Sequence, residues 1–135
     1  MNWTLEVVIV PVSDVDRAKA FYAERLGFNV DHDTRISEAM RLVQLTPPGS
    51  GCSVVIEEGM GHGMAPGSLK GLQLVVNDIH QARKELIERG VDVSEVTRLG
   101  DNPQPVDHEL DNVGFVFFND PDGNSWAVQQ ISNRA

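Results

Sequence analysis

The feature that most constrains this chain is an internal repeat. Val12-Ser13-Asp14-Val15 followed by Ala18-Lys19 returns as Val76-Asn77-Asp78-Ile79 followed by Ala82-Arg83, at a constant offset of 64 residues. Glu24-Arg25 falls on Glu88-Arg89 at the same offset, and each copy then reaches a glycine, Gly27 and Gly90. In a chain of 135 residues such a repeat leaves room for two copies and little else. The expected organisation is one domain over residues 1–135, with half-modules at about residues 1–60 and 68–135. The glycine-rich stretch 59–67 links them.

Each copy opens with an apolar run, residues 5–12 and 69–76, that reads as a strand. An Asp then stands where a helix N-cap belongs, its carboxylate placed to accept from the free N–H groups of the first turn. Apolar residues recur at helical spacing behind it: Val15, Ala18, Phe21/Tyr22 and Leu26 in the first copy, Ile79, Ala82 and Leu86/Ile87 in the second. Gly27 and Gly90 mark the helix ends. Strand signals follow at residues 28–31, 40–45 and 53–57, and again at 91–96, 114–119 and 125–131. The turn Asp120-Pro121-Asp122-Gly123-Asn124 joins the last two, and residues 99–112, polar with Pro103 and Pro105, read as a long loop. The expected fold class is α+β: two β-α-β-β-β modules, which must pair to cover their sheets.

Composition narrows the function classes. Eleven Lys and Arg stand against twenty Asp and Glu, a formal charge of −9. That balance disfavours nucleic acid, whose phosphates need a basic face, and equally an anionic membrane surface. The first apolar run is too short to span a bilayer and no basic region precedes it. The lone Cys52 builds no intrachain disulfide, so a reducing, cytoplasmic setting is expected.

The pattern Asp14-x-x-Arg17-x-x-x-Phe21-Tyr22-x-x-x-Leu26-Gly27-Phe28, with the closing Asp120-Pro121-Asp122-Gly123-Asn124-x-Trp126, resembles the vicinal oxygen chelate superfamily. That superfamily includes glyoxalase I, extradiol dioxygenases, fosfomycin-resistance thiol transferases and bleomycin-binding proteins. The resemblance implies that the two modules form a curved mixed sheet around a cup-shaped pocket, which in the enzymes holds one divalent metal. Carried onto this chain, the ligand positions fall on Val7, Gly71, Ala127 and a fourth place near Ile56 or Glu57. Val, Gly and Ala offer no side-chain lone pair, and Glu57 alone does not retain a divalent ion against water. No metal ligand set and no cofactor are therefore expected.

Residues in phase with those positions face the cup: Val7, Ile9, Glu57, Gln73, Ser125, Ala127 and Gln129 are the candidate ligand-binding residues. Such a lining suits an organic molecule oriented by a few polar groups. The other reading is a filled cup in which Gln73 and Gln129 bond each other or backbone. Candidate catalytic residues are Glu57, a usable general base if it is buried, and the loop histidines His62 and His108. For Glu57 the competing reading is a solvated strand-end charge beside Glu58; His32 and His80 read as surface residues. Trp126 is out of phase with the cup. The expected function is binding of a small organic molecule, for which the acidic balance favours a cation. One alternative is a lyase or isomerase with a non-standard metal site or a metal-free acid/base residue. A second is a ligand-free structural dimer, and a homodimer is expected of a small member of this superfamily.

Overall fold

The computed structural model describes residues 1–102 and 105–133; Pro103 and Gln104, inside the expected loop, lie outside the described residues. Two β-α-β-β-β modules are present, each with one four-stranded mixed sheet. In the first, β1 (Val7–Ile9), α1 (Val15–Ala20), β2 (Asn29–Arg35), β3 (Arg41–Thr46) and β4 (Ser53–Glu58) give the sheet order β1-β4-β3-β2. In the second, β5 (Leu72–Val76), α2 (Ile79–Glu88), β6 (Thr97–Arg98), β7 (Gly114–Asn119) and β8 (Ser125–Gln130) give β5-β8-β7-β6. The first strand of each module pairs in parallel with the last, and all other pairs are antiparallel. By compactness the chain divides into Met1–Leu69 with Asp120–Asn124, and Lys70–Asn119 with Ser125–Ala135.

In the first unit Asp14 caps α1 as its position predicts, its side chain accepting from Arg17 N at 3.1 Å. The helix continues as a π-helical turn, Phe21–Arg25, closed by Leu26 N donating to Phe21 O at 3.1 Å. The wider turn lets two consecutive aromatics, Phe21 and Tyr22, both face the core. Tyr22 is fully buried, edge-on to Phe21 at 5.3 Å and stacked on Phe28 at 5.8 Å. Val10, Val15, Ala18, Val43, Leu45, Val54 and Ile56 complete this core; each large side chain contributes about 1.5–3 kcal/mol on burial.

The turn 120–124 belongs to this unit through one aspartate. Asp120 Oδ1 accepts from the backbone N–H of Asp122 (3.0 Å) and Asn124 (2.9 Å), and Oδ2 from Tyr22 Oη (2.7 Å) and Asn124 Nδ2 (2.8 Å). At the edge of the sheet Arg41 bridges Asp33 and Asp16 while Lys19 also reaches Asp33. These two cations hold the Asp33 carboxyl well below the usual carboxylate range.

In the second unit Ile79, Leu86, Val91, Val113, Val116, Phe118, Trp126 and Val128 form the core, with Trp126 stacked on Phe118 at 6.1 Å. Trp126 therefore lies on the helix-covered face, as its phase predicts. Asp78 caps α2 through Gln81 N at 3.1 Å, and the buried Gln130 adds a second acceptor to the same terminus, taking Ile79 N at 3.0 Å.

Three strand expectations are corrected. The run 5–12 is a strand only over Val7–Ile9, because Pro11 has no N–H to continue the ladder. The run 69–76 becomes a strand only at Leu72, since Leu69 N and Gly71 N donate to the side chains of Asn124 and Ser125 instead. Residues 91–96 form no strand. Ser94 N does reach Phe117 O at 2.9 Å, but Phe117 N donates to Ser94 Oγ at 2.9 Å and the Ser94 carbonyl accepts from Arg83 Nε at 2.9 Å, so the ladder does not propagate and Thr97–Arg98 is the stretch that pairs with β7. No helix among the described residues is long and apolar enough to cross a membrane.

Candidate functional site

Strand register assigns each side chain to the helix-covered or the open face of its sheet. In the first unit Val7 and Ile9 on β1 align with Ser53 and Val55 on β4, and Val55 and Glu57 align with Gln44 and Leu42 on β3. This open face carries Val7, Ile9, Val55 and Leu42 with the polar Ser53, Gln44 and Glu57, and Ser53 and Val55 on it are buried. In the second unit Gln73 and Val75 align with Ala127 and Gln129, which align in turn with Phe117 and Phe115.

Glu57 is buried, its side chain only 8% exposed, so the solvated reading is set aside. Its Oε1 has no hydrogen-bonding partner of regular geometry among the described residues; His62 Nε2 stands in close contact against it. Both line a cavity of about 190 Å³ together with Ile9, Val10, Pro11, Val12, Met60 and Met64. The loop carrying His62 leaves β4 through Gly59, at φ +80°, where a Cβ would lie 1.9 Å from the carbonyl oxygen of Ala39. Only glycine makes that exit, and it turns residues 60–64 back over the end of the strand.

The second unit's polar groups are already matched. Gln73 Nε2 donates to Gln129 Oε1 at 2.7 Å, and Gln129 Nε2 donates to the Asn112 carbonyl at 2.8 Å. Ser125 Oγ accepts from Gly71 N at 3.2 Å. Beside this amide pair Phe115 and Phe117 stack at 6.0 Å with their rings near parallel.

His108 is a turn residue: its Nδ1 accepts from Leu110 N at 3.0 Å while its own N–H donates to Asp111 Oδ2 at 3.1 Å. Asp111 is buried and also takes Ser132 N (2.9 Å), Ser132 Oγ (2.6 Å) and Gln130 Nε2 (3.1 Å). The Ser132 hydroxyl, then Gln130 and the backbone donors, bring its pKa down to about 2.

Of the candidates named from sequence, Ile9, Glu57 and His62 come together in one cavity, and Gln73 and Gln129 meet as a pair. Val7 lies on the same open face as Ile9, and Ala127 on the same face as Gln73. Sequence reasoning passed over Met60 and Met64, although their spacing about His62 in Met60-Gly61-His62-Gly63-Met64 was a usable signal. It also passed over Leu42 and Gln44, whose phase relative to Glu57 depends on strand register.

The positions that the resemblance assigns to a divalent metal fall here on Val7, Gly71, Ala127 and the neighbourhood of Glu57. Val7 on β1 and Ala127 on β8 carry no donor atom, Gly71 has no side chain, and Glu57 is left as a single carboxylate. No group of three His, Cys, Asp or Glu side chains able to hold an ion occurs among the described residues.

Comparison with known proteins places the chain. The family model of the Glyoxalase/Bleomycin resistance protein/Dioxygenase superfamily matches residues 4–128, and the chain belongs to that superfamily. Among solved structures it is similar to TnmS3, an antibiotic binding protein from Streptomyces sp. CB03234, at 34% identity and TM-score 0.74, covering 97% of this chain and 98% of that one. A glyoxalase/bleomycin resistance protein from the same Streptomyces matches at 34% identity and TM-score 0.71, over 94% of this chain and 100% of that one. A superfamily member from Sphaerobacter thermophilus DSM 20745 matches at 29% identity and TM-score 0.75, over 96% and 98%. Comparison with curated proteins gives no match.

Proposed function

We propose that this protein binds a small organic molecule carrying a positive charge, without the divalent metal of the superfamily's enzymes. The observation that carries the reading is Glu57. A carboxylate more than nine-tenths buried, with one oxygen lacking a regular hydrogen bond, is costly to fold around unless something uses its charge. His62 is half-exposed on a glycine-rich loop, and a protonated amine entering the cavity displaces it. Ile9 supplies apolar wall for the body of the molecule, with Val7 beside it on the same face. The similarity to an antibiotic binding protein at 34% identity supports a small-molecule ligand.

The test is a thermal-shift and calorimetric screen of amine-bearing antibiotics in the presence of a chelator. At least one is expected to raise the unfolding temperature with the chelator present. Glu57→Gln is expected to weaken its binding by about 2 kcal/mol, roughly 30-fold. Binding that needs a divalent ion, or that Glu57→Gln leaves untouched, overturns the reading. The Glu57–His62 pair also favours a second reading, proton transfer on a bound substrate. That reading requires turnover that Glu57→Gln abolishes while binding persists.

A further inference from the structure

We propose that the loop over residues 59–64 is a binding site for a soft monovalent metal ion, Cu(I), held by the thioether sulfurs of Met60 and Met64 and the imidazole of His62. The sequence sets these three donors at alternate positions with glycine between them, and all three line the one cavity beside Glu57. Two thioethers and one imidazole form a soft, neutral donor set. Such a set suits Cu(I), whereas Ca²⁺ and Mg²⁺ require oxygen ligands and Zn²⁺ favours thiolate, imidazole or carboxylate.

Three features of the site agree with that chemistry. His62 Nε2 is held against Glu57 Oε1, and no hydrogen bond among the described residues engages its Nδ1. A metal-binding histidine characteristically has its second ring nitrogen on a carboxylate, which fixes the ring and raises the basicity of the ligating nitrogen. A neutral donor set also leaves the ion's full positive charge in place, and the buried Glu57 carboxylate is positioned to compensate it. Finally, Gly61 and Gly63 sit at φ +70° and +74° with open space where a Cβ would be, so the two sulfurs can close on an ion without disturbing β4. Glu57 is not a ligand in this arrangement, so the site differs in both donors and metal from the divalent position of the superfamily. It does not rest on the organic-ligand reading, and each can fail alone.

The experiment is an anaerobic titration of the untagged full chain with Cu(I), buffered by bathocuproine disulfonate, followed by X-ray absorption of the loaded protein. One equivalent of Cu(I) in a shell of two sulfurs and one nitrogen is expected. Met60→Leu and Met64→Leu conserve volume, and circular dichroism of the copper-free variants checks that they fold. Each is expected to weaken Cu(I) binding by at least about 10-fold, and Glu57→Gln by about 10–100-fold. Cys52→Ser is expected to leave affinity and stoichiometry unchanged. Absence of Cu(I) uptake, uptake indifferent to both methionine substitutions, or uptake lost in Cys52→Ser overturns the proposal.

Discussion

The two modules repeat one order of elements yet treat the polar groups on their open faces in opposite ways. In the second, the amides of Gln73 and Gln129 satisfy each other and the Asn112 carbonyl, leaving a closed hydrogen-bonded patch beside two stacked phenylalanines. In the first, the Glu57 side chain is buried, and among the described residues its Oε1 meets only His62, which stands on a loop of alternating glycines. The lesson is that repeated architecture does not carry repeated chemistry. A matched polar pair stabilises its sheet, whereas an under-matched carboxylate costs stability and leaves binding capacity behind. Each module is also pinned by one buried aspartate, Asp120 in the first unit and Asp111 in the second, and these serve as internal references for the comparison.

The largest effect is expected at Asp120. It accepts four hydrogen bonds, two from backbone N–H groups of the turn, so Asp120→Ala strands several buried donors. Urea denaturation should show a loss of about 3 kcal/mol. A cost no greater than that of Ser132→Ala, which removes one hydroxyl from Asp111, would break the idea that Asp120 is the stronger pin.

The open faces should respond with opposite signs. Glu57→Leu replaces an under-matched buried charge by an apolar side chain and is expected to raise stability by about 1 kcal/mol. Gln73→Leu removes an exposed hydrogen bond to Gln129 Oε1, which water can replace, and should lower stability by no more than about 0.5 kcal/mol. Equilibrium unfolding of the pair measures both, and two changes of the same sign would dissolve the contrast.

The smallest effect concerns acid. Asp111 titrates near 2 in the folded protein and near 3.9 when unfolded. Its contribution is therefore fully present above about pH 4 and is lost as the pH falls through the folded value. Ser132→Ala removes the hydroxyl that lowers this pKa most, so the Asp111 titration, followed by carboxyl NMR, should move upward.

Much of the fold was legible because local signals agreed with one another. Asp14 and Asp78 cap their helices, the 120–124 turn joins β7 to β8, and the repeat places each strand in order. Residues 91–96 were misread because apolar alternation says nothing about where a carbonyl goes, and Ser94's goes to Arg83. The phase of Val7, Ile9, Gln73 and Ala127 followed from two-residue periodicity and survived in the sheet registers. What sequence did not settle at Glu57 was its burial, which depends on a loop folding back over the strand end. The burial of Asp111 and Asp120 was invisible for the same reason: Gln130 lies 19 residues from Asp111, and Tyr22 lies 98 from Asp120.

The residence of turn 120–124 in the first unit has a consequence for biosynthesis. A nascent chain emerging from the N-terminus exposes residues 1–69 long before Asp120 exists, so Tyr22 must wait for its acceptor and Pro11 O for the Asn124 amide. The first module cannot be finished in the order in which it is made. Its last tie forms only after nearly the whole second module has been translated, and an N-terminal fragment should ripen only when the missing peptide is supplied in trans.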